Sequence, residues 1–329
     1  MKVTSIMFYL GLIVMLYSSV AAQAEGTDLS ILTNAKSPFV DGDIVVTLGD
    51  SITQFGDGPD GYVTLLRNAF AKVSYPAVTI INAGISGNEV PDLQARYERD
   101  VLSKNPTVVF IYIGINDVWH HGGDLGDPRT KFETGLRQII HKMQQQGIRV
   151  VLATPSVIGE KPDGTNPVDK SLDAFSDTSR NIAKDMHLEL CDLRKAFIEY
   201  LKIHNTEGKD LGVLTQDTVH LNAAGNRLVA HEAAKSLIAA LGRKMVPLVI
   251  YDTEFTDQGI VAINFLPKQN TAGLVIRYTL NGTAPTAKSP RYTKPIKVNK
   301  STIITAQAFM KNKAAGYAIS ATATKLPSQ

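Results

Sequence analysis

The sequence predicts a three-layer α/β sandwich built on a parallel sheet, followed by a small all-β sandwich. Three observations carry this reading. Between residues 40 and 245, short apolar runs rich in β-branched residues alternate with amphipathic stretches. That is the pattern of buried parallel strands covered by helices on both faces. After Gly242 the helical period disappears, and apolar and polar residues alternate in short runs separated by turn signals. The length, 329 residues, is comfortable for two domains.

The first 24 residues stand apart. Lys2 opens the chain, Ile6 to Val20 is apolar, and Ala22-Gln23-Ala24 supplies a small-x-small cleavage pattern before Glu25. This reads as a signal peptide cleaved after about Ala24, and predicts a secreted or periplasmic protein. The apolar run is short for a membrane span, which needs about 20 residues, so no stable membrane insertion is expected. The single cysteine, Cys191, lies far from the cleavage point. It rules out a disulfide within one chain and a lipid-modified cysteine at that point. Within Leu188–Cys191 it reads as a packed thiol of a short buried strand. The predicted organisation is therefore residues 1–24 as leader, 25–245 as the α/β domain and 246–329 as the β domain.

In chain order, the strand-like runs of the α/β domain are Ile44–Leu48, Val78–Ile81, Thr107–Ile113, Arg149–Ala153 and Leu188–Cys191. Helices are predicted over Tyr62–Lys72, Leu93–Ser103, Lys131–Gln146, Leu172–Met186, Arg194–Asn205 and Ala223–Leu241. Lys131–Gln146 places Phe132, Leu136, Ile139, Ile140 and Met143 at helical spacing and ends at Gly147. Val246-Pro247 reads as a linker. Strands are then predicted over Ile260–Phe265, Leu274–Leu280, Tyr292–Val298, Thr302–Phe309 and Ala315–Thr322, with turns at Asn281-Gly282 and Asn312-Lys313.

Charge divides along the same boundary. Residues 251–329 hold ten Lys and Arg against three Asp and Glu, a net +7, whereas residues 25–250 hold 23 against 28, a net −5. A basic β domain fits docking on acidic glycans or surfaces, or lysines that guard sheet edges. Nucleic acid is not an expected partner.

Chemistry-bearing residues cluster after the strands. Ser51 follows the first, in Gly49-Asp50-Ser51-Ile52-Thr53, at the sheet edge where open α/β folds bind ligands. Asn82-Ala83-Gly84 follows the second and Gly114-Ile115-Asn116-Asp117 the third, at the same edge because parallel strands all end there. Asp217-Thr218-Val219-His220 precedes the last helix. A serine needs a base to become a nucleophile, and an imidazole needs a carboxylate to fix its tautomer. Asp217 and His220, three residues apart in a turn, supply that pair. The Ser51 and Gly84 N–H groups with the Asn116 amide supply donors for an oxyanion.

Taken together, residues 40–242 resemble the SGNH hydrolases, or GDSL esterases, whose four blocks centre on Ser, Gly, Asn and His and occur here in that order. Ile52 stands where the namesake motif has Leu. The resemblance implies a flavodoxin-like fold, Ser51 as nucleophile, His220 as general base and then acid, and Asp217 as its partner. It also implies an oxyanion hole of Ser51, Gly84 and Asn116, with no metal and no organic cofactor. Asp50 is read as structural. Trp119 and His120 are read as lining the substrate pocket. His120 and His121 are not read as metal ligands, because adjacent side chains rarely converge and no carboxylate pattern accompanies them.

In the tail, Tyr278-Thr279-Leu280-Asn281-Gly282-Thr283-Ala284-Pro285 is similar to the chitobiase/β-hexosaminidase C-terminal domain, and Lys294-Pro295-Ile296 continues the likeness. That resemblance leaves glycan docking and a spacer role open. The expected function is a secreted serine esterase that removes short acyl groups, such as O-acetyl, from carbohydrate. The alternatives are a general short-chain or lysophospholipase-like lipid esterase, acyl transfer to another acceptor, and a non-catalytic glycan-binding protein.

Overall fold

In the computed structural model, the structure describes residues 43–72, 78–242, 248–255, 261–267, 273–294, 296–298, 300–315 and 318–323. The predicted leader, its cleavage point and the Val246-Pro247 linker lie outside the described residues.

The first unit is a parallel five-stranded sheet in the order β2-β1-β3-β4-β5. Its strands are β1 (Ile44–Gly49), β2 (Thr79–Gly84), β3 (Val108–Tyr112), β4 (Arg149–Ala153) and β5 (Glu189–Cys191). The helices are α1 (Ser51–Phe55), α2 (Tyr62–Lys72), α3 (Val90–Asp100), α4 (Ile115–Trp119), α5 (Asp127–Gln145), α6 (Asp169–Asp185), α7 (Leu193–His204) and α8 (Ala223–Gly242). Helices α2, α7 and α8 pack together on one face, and α3, α5 and α6 on the other. This is the predicted three-layer sandwich. Every residue of β3 is buried, as a central strand covered on both faces requires.

Strand order reverses between β1 and β3, so the chain leaves their carboxyl ends in opposite directions and opens a crevice there. Ser51 opens the helix that follows β1, and Asn116 is the second residue of the helix that follows β3. Both helices are five-residue elements, too short to show a period in sequence.

Two helices begin earlier than their apolar pattern indicates. The first turn of α5 is polar, that of α3 carries Pro91 and Asp92 ahead of Leu93, and proline occupies an early position in each. Its fixed φ and missing N–H suit a helix start, and the Asp92 carboxylate accepts the Glu89 N–H at 2.9 Å. Cys191 is buried in β5, and burial pushes its thiol well above the ordinary range.

The second unit contains two antiparallel sheets, as expected for an all-β domain. One pairs β6 (Leu248–Phe255), β7 (Val261–Pro267) and β9 (Ile296–Val298). The other is built around β10 (Thr302–Met310), which pairs with β8 (Leu274–Thr279), β11 (Lys313–Ala314) and β12 (Ile319–Ala323). Strand β6 begins directly after the expected linker and was not predicted. The expected strand over Tyr292–Val298 contracts to Ile296–Val298, with Arg291 forming an isolated bridge to Arg277. The β10–β11 turn falls on Lys311-Asn312, with φ of 48° and 63°, the left-handed pair of a two-residue hairpin. Ile276, Ile296, Ile304, Ala306 and Ala308 form this unit's small core.

Phe110 lies at the middle of β3, fully buried. Phe110→Ala is expected to lower unfolding free energy by about 3–5 kcal/mol, read by urea denaturation.

Candidate active site

The carboxyl edge of the sheet brings Ser51 and His220 together across 169 residues of chain, with Ser51 Oγ 2.9 Å from His220 Nε2. His220 Nδ1 lies 2.7 Å from Asp217 Oδ2. The other oxygen, Oδ1, accepts the N–H groups of His220 at 2.7 Å and Val219 at 3.1 Å. The carboxylate thus grips both the ring and the backbone of the residue it serves. It fixes the proton on Nδ1 and leaves Nε2 to accept from the serine hydroxyl. Burial acts to raise the Asp217 carboxyl, but the hydrogen bonds from the His220 ring and the two amides outweigh it, and the net shift is downward. Phe55 packs against the imidazole with ring centroids 5.3 Å apart.

The turn carrying this pair is itself anchored. Thr218 is left-handed at φ 78°, unusual for a β-branched residue. Its carbonyl accepts the Gly159 N–H at 2.9 Å. Next to Gly159 the fully buried Glu160 carboxylate accepts the N–H groups of Val213, Leu214 and Thr215 and the Thr215 hydroxyl. The segment entering the turn is therefore wrapped around a buried anion.

The expected oxyanion donors lie at the same sheet edge. Ser51 N–H stands at the first position of α1, where no intrahelical partner exists. Asn116 Nδ2 donates to the Asn88 carbonyl at 3.0 Å, which fixes the amide and leaves its second hydrogen for a ligand. Gly84 differs from expectation. Its N–H already donates to Asn82 Oδ1 at 2.8 Å, so service as an oxyanion donor requires sharing or exchanging that partner. A glycine is required there because a Cβ would run into the α1 backbone at Thr53 and Gln54.

Arg96 was missed by sequence reasoning. The residue is buried, bonds to the two segments that carry Ser51 and Gly84, and holds the residue that fixes Asn116. Nη2 donates to the Gly49 carbonyl at 2.9 Å, two residues before Ser51. Nη1 donates to the Ala83 carbonyl at 2.8 Å, one residue before Gly84. Nε donates to Asn88 Oδ1 at 2.7 Å, the residue whose carbonyl holds Asn116. Asp100 pairs with the same guanidinium at 3.0 Å. Within the charged run Arg96-Tyr97-Glu98-Arg99-Asp100 it resembles any solvated helix residue, and the only local signal was the apolar face of α3 on which it sits.

Asp50 caps α1, its Oδ1 accepting the Ile52 N–H at 2.9 Å, in keeping with the structural reading. Burial pushes its carboxyl up to about 7, against the pull of the Ile52 amide and of His220. Asp117 is also raised to about 7, with burial again the leading cause.

The adjacent histidines overturn one expectation. His120 Nδ1 and His121 Nε2 do converge, on the two oxygens of Glu89, each at 3.0 Å. Glu89 is remote in sequence, so no local carboxylate pattern announced it. Among the described residues no group of three or more His, Cys, Asp and Glu is arranged to hold a metal ion. Trp119 is exposed, with its ring beside that of His120. Neither residue lines the cavity of about 400 Å³ that adjoins His220 through Phe55 and Leu221.

Comparison with known proteins places these features in context. Residues 47–228 match the GDSL-like Lipase/Acylhydrolase family, and residues 254–321 match the Chitobiase/beta-hexosaminidase C-terminal domain. An acetylxylan esterase of Geobacillus stearothermophilus is 32% identical over 209 residues, which is 57% of this chain and 91% of the relative. The crystal structure of the acetyl xylan esterase AlAXEase is 44% identical, with a TM-score of 0.57, covering 59% of this chain and all of that one. The crystal structure of Axe2, an acetylxylan esterase from Geobacillus stearothermophilus, is 27% identical at a TM-score of 0.51, covering 61% of this chain and 96% of that one.

Two outcomes test the site. Arg96→Met is expected to lower kcat at least tenfold with KM within about twofold, because the hole serves the transition state rather than the bound ester. Steady-state kinetics on a short acetate ester reads this; a change in melting temperature alone would assign Arg96 to the fold and not to the hole. Asp50 predicts a pH effect. In the unfolded chain its carboxyl titrates near 3.8, in the fold near 7. Stability present below the first value is lost as pH rises through the second, since the unfolded chain releases a proton that the fold retains. Asp50→Asn keeps the capping oxygen. Its unfolding free energy should therefore fall less steeply from pH 4 to 7, by up to about 1.4 kcal/mol per pH unit. Parallel slopes in urea denaturation would show Asp50 ionised in the fold.

Proposed function

From the premise that this chain belongs to the GDSL-like lipase/acylhydrolase family and is a serine carboxylic ester hydrolase, we propose that it removes O-acetyl groups from xylan-type carbohydrate through a Ser51 acyl-enzyme. The observation that carries the mechanism is the hydrogen-bonded series Ser51, His220 and Asp217, at 2.9 and 2.7 Å. The substrate class is supported by the likeness to two acetylxylan esterases with solved structures and to the curated relative of the same name.

In this mechanism His220 Nε2 takes the Ser51 proton as Oγ attacks the ester carbonyl. The negative charge forming on the carbonyl oxygen is met by the Ser51 N–H and the Asn116 amide, and by the Gly84 N–H once the Asn82 side chain swings off it. Asp217 stabilises the imidazolium without taking its proton. His220 then protonates the leaving sugar oxygen, and the alcohol departs. Water enters, gives a proton to His220 and attacks the acyl-enzyme, releasing acetate and restoring Ser51.

The reading extends to location. The Lys2–Ala24 leader carries the enzyme out of the cytoplasm, where acetylated polysaccharide is found, and the basic C-terminal unit gives it a glycan-docking surface.

Acetate release from acetylated xylan, measured against release from a lipid ester, tests the substrate. Preference for xylan is expected, and preference for lipid would overturn it. On the preferred ester, Ser51→Ala should leave little above background. Asn116→Ala should lose about 10²–10³ in kcat, and near-normal turnover would remove Asn116 from the hole.

A further inference from the structure

The geometry of acyl transfer fixes where each part of the ester must lie. The tetrahedral carbon on Ser51 Oγ carries three other substituents. Its oxyanion faces the Ser51 N–H and the Asn116 amide. The leaving oxygen receives its proton from His220 Nε2 and so lies on the imidazole side. The alcohol portion of the substrate therefore extends past His220, away from the hole.

On that side the Phe55 ring packs against the imidazole at 5.3 Å and is 54% exposed. Next to it opens the cavity of about 400 Å³, which Ile52 and Leu221 line as the chain neighbours of Ser51 and His220. Its volume lies in the range of small-molecule sites, roughly 300–1,000 Å³. Phe55 and Pro59 give it apolar surface; Asp60 and Gln216 stand at its wall. Asn222 and Asn226 also reach it, but their side chains are engaged with the backbone around α8 and Tyr62. Asp60 and Gln216 are exposed, and among the described residues neither side chain has a hydrogen-bonding partner.

We propose that this cavity is the saccharide subsite on the alcohol side, holding the sugar unit next to the one that bears the ester. It rests on the carbohydrate-ester reading above. The Phe55 ring takes the C–H face of the pyranose. The Asp60 carboxylate accepts from hydroxyls, and the Gln216 amide both donates and accepts, matching the double character of a hydroxyl. An alkyl chain placed there would strip water from a carboxylate and an amide and return no hydrogen bond. The cavity thus favours a sugar over a lipid alcohol.

The test compares kcat/KM for an internally O-acetylated xylotriose with that for methyl acetate, whose alcohol is too small to reach the cavity. Ala223→Trp fills the cavity from its wall at the start of α8. In that variant the ratio of the two values is expected to fall at least tenfold, mostly through KM. Asp60→Ala and Gln216→Ala are each expected to lower the ratio by about threefold to tenfold. Phe55 is left intact because its contact with His220 would alter both substrates. A wild type that favours xylotriose, combined with an unchanged ratio in folded Ala223→Trp, overturns the subsite alone. A wild type with no preference for xylotriose over methyl acetate overturns the carbohydrate-ester reading and the subsite with it.

Discussion

Parallel strands place all their carboxyl ends on one side of a sheet, and the active site depends on that constraint. Gly84 closes β2, and Ser51 and Asn116 come within a few residues of the ends of β1 and β3, so their spacing follows from the interstrand distance. Loops alone would not hold it, because the chain must turn sharply there and leaves main-chain groups unpaired. Two buried ionic side chains take up those groups. Arg96 binds carbonyls at the ends of β1 and β2, and Glu160 binds consecutive N–H groups ahead of the Asp217–His220 turn. A charge in the interior persists only where its hydrogen-bonding capacity is met. Here the need is mutual, since each ion lacks solvent and each backbone segment lacks partners.

Much of this was legible in the sequence, and the reason is locality. Apolar runs with intervening helical periods reveal layers because the period is written in consecutive residues. Ser51, Asn116, Asp217 and His220 were found because each sits in a short motif at a strand end or in a turn. What escaped notice acts at long range on the backbone. Arg96 reaches a carbonyl 47 positions away and Glu160 an amide 54 positions away, and a side chain that serves generic backbone groups leaves no residue-type signature at its destination. The same holds for Glu89, which meets two histidines more than 30 residues on. The engagement of Gly84 N–H by Asn82 was invisible for another reason: it depends on a side-chain torsion, not on spacing.

Environment separates carboxyl groups that look alike in sequence. Asp50 and Asp117 adjoin the nucleophile and the oxyanion amide, yet burial holds both near 7. Asp217, half exposed and bonded to two amides and a ring, is shifted the other way. Of the three, Asp217 is the one bonded to the imidazole, and it is the one shifted toward its ionised form. The division of roles follows the rule that paired groups are assigned by how far their surroundings push them apart.

The distance in sequence between Ser51 and His220 bears on the timing of activity. The nucleophile is carried by the first strand and its base by the turn before the last helix of the sheet domain, and contacts of such separation form late because the loop closing them is long. A chain emerging from the ribosome, amino terminus first, thus exposes its serine long before it has a base to activate it. Hydrolysis therefore needs both ends of the sheet domain, and a chain that ends before His220 has a nucleophile without its base.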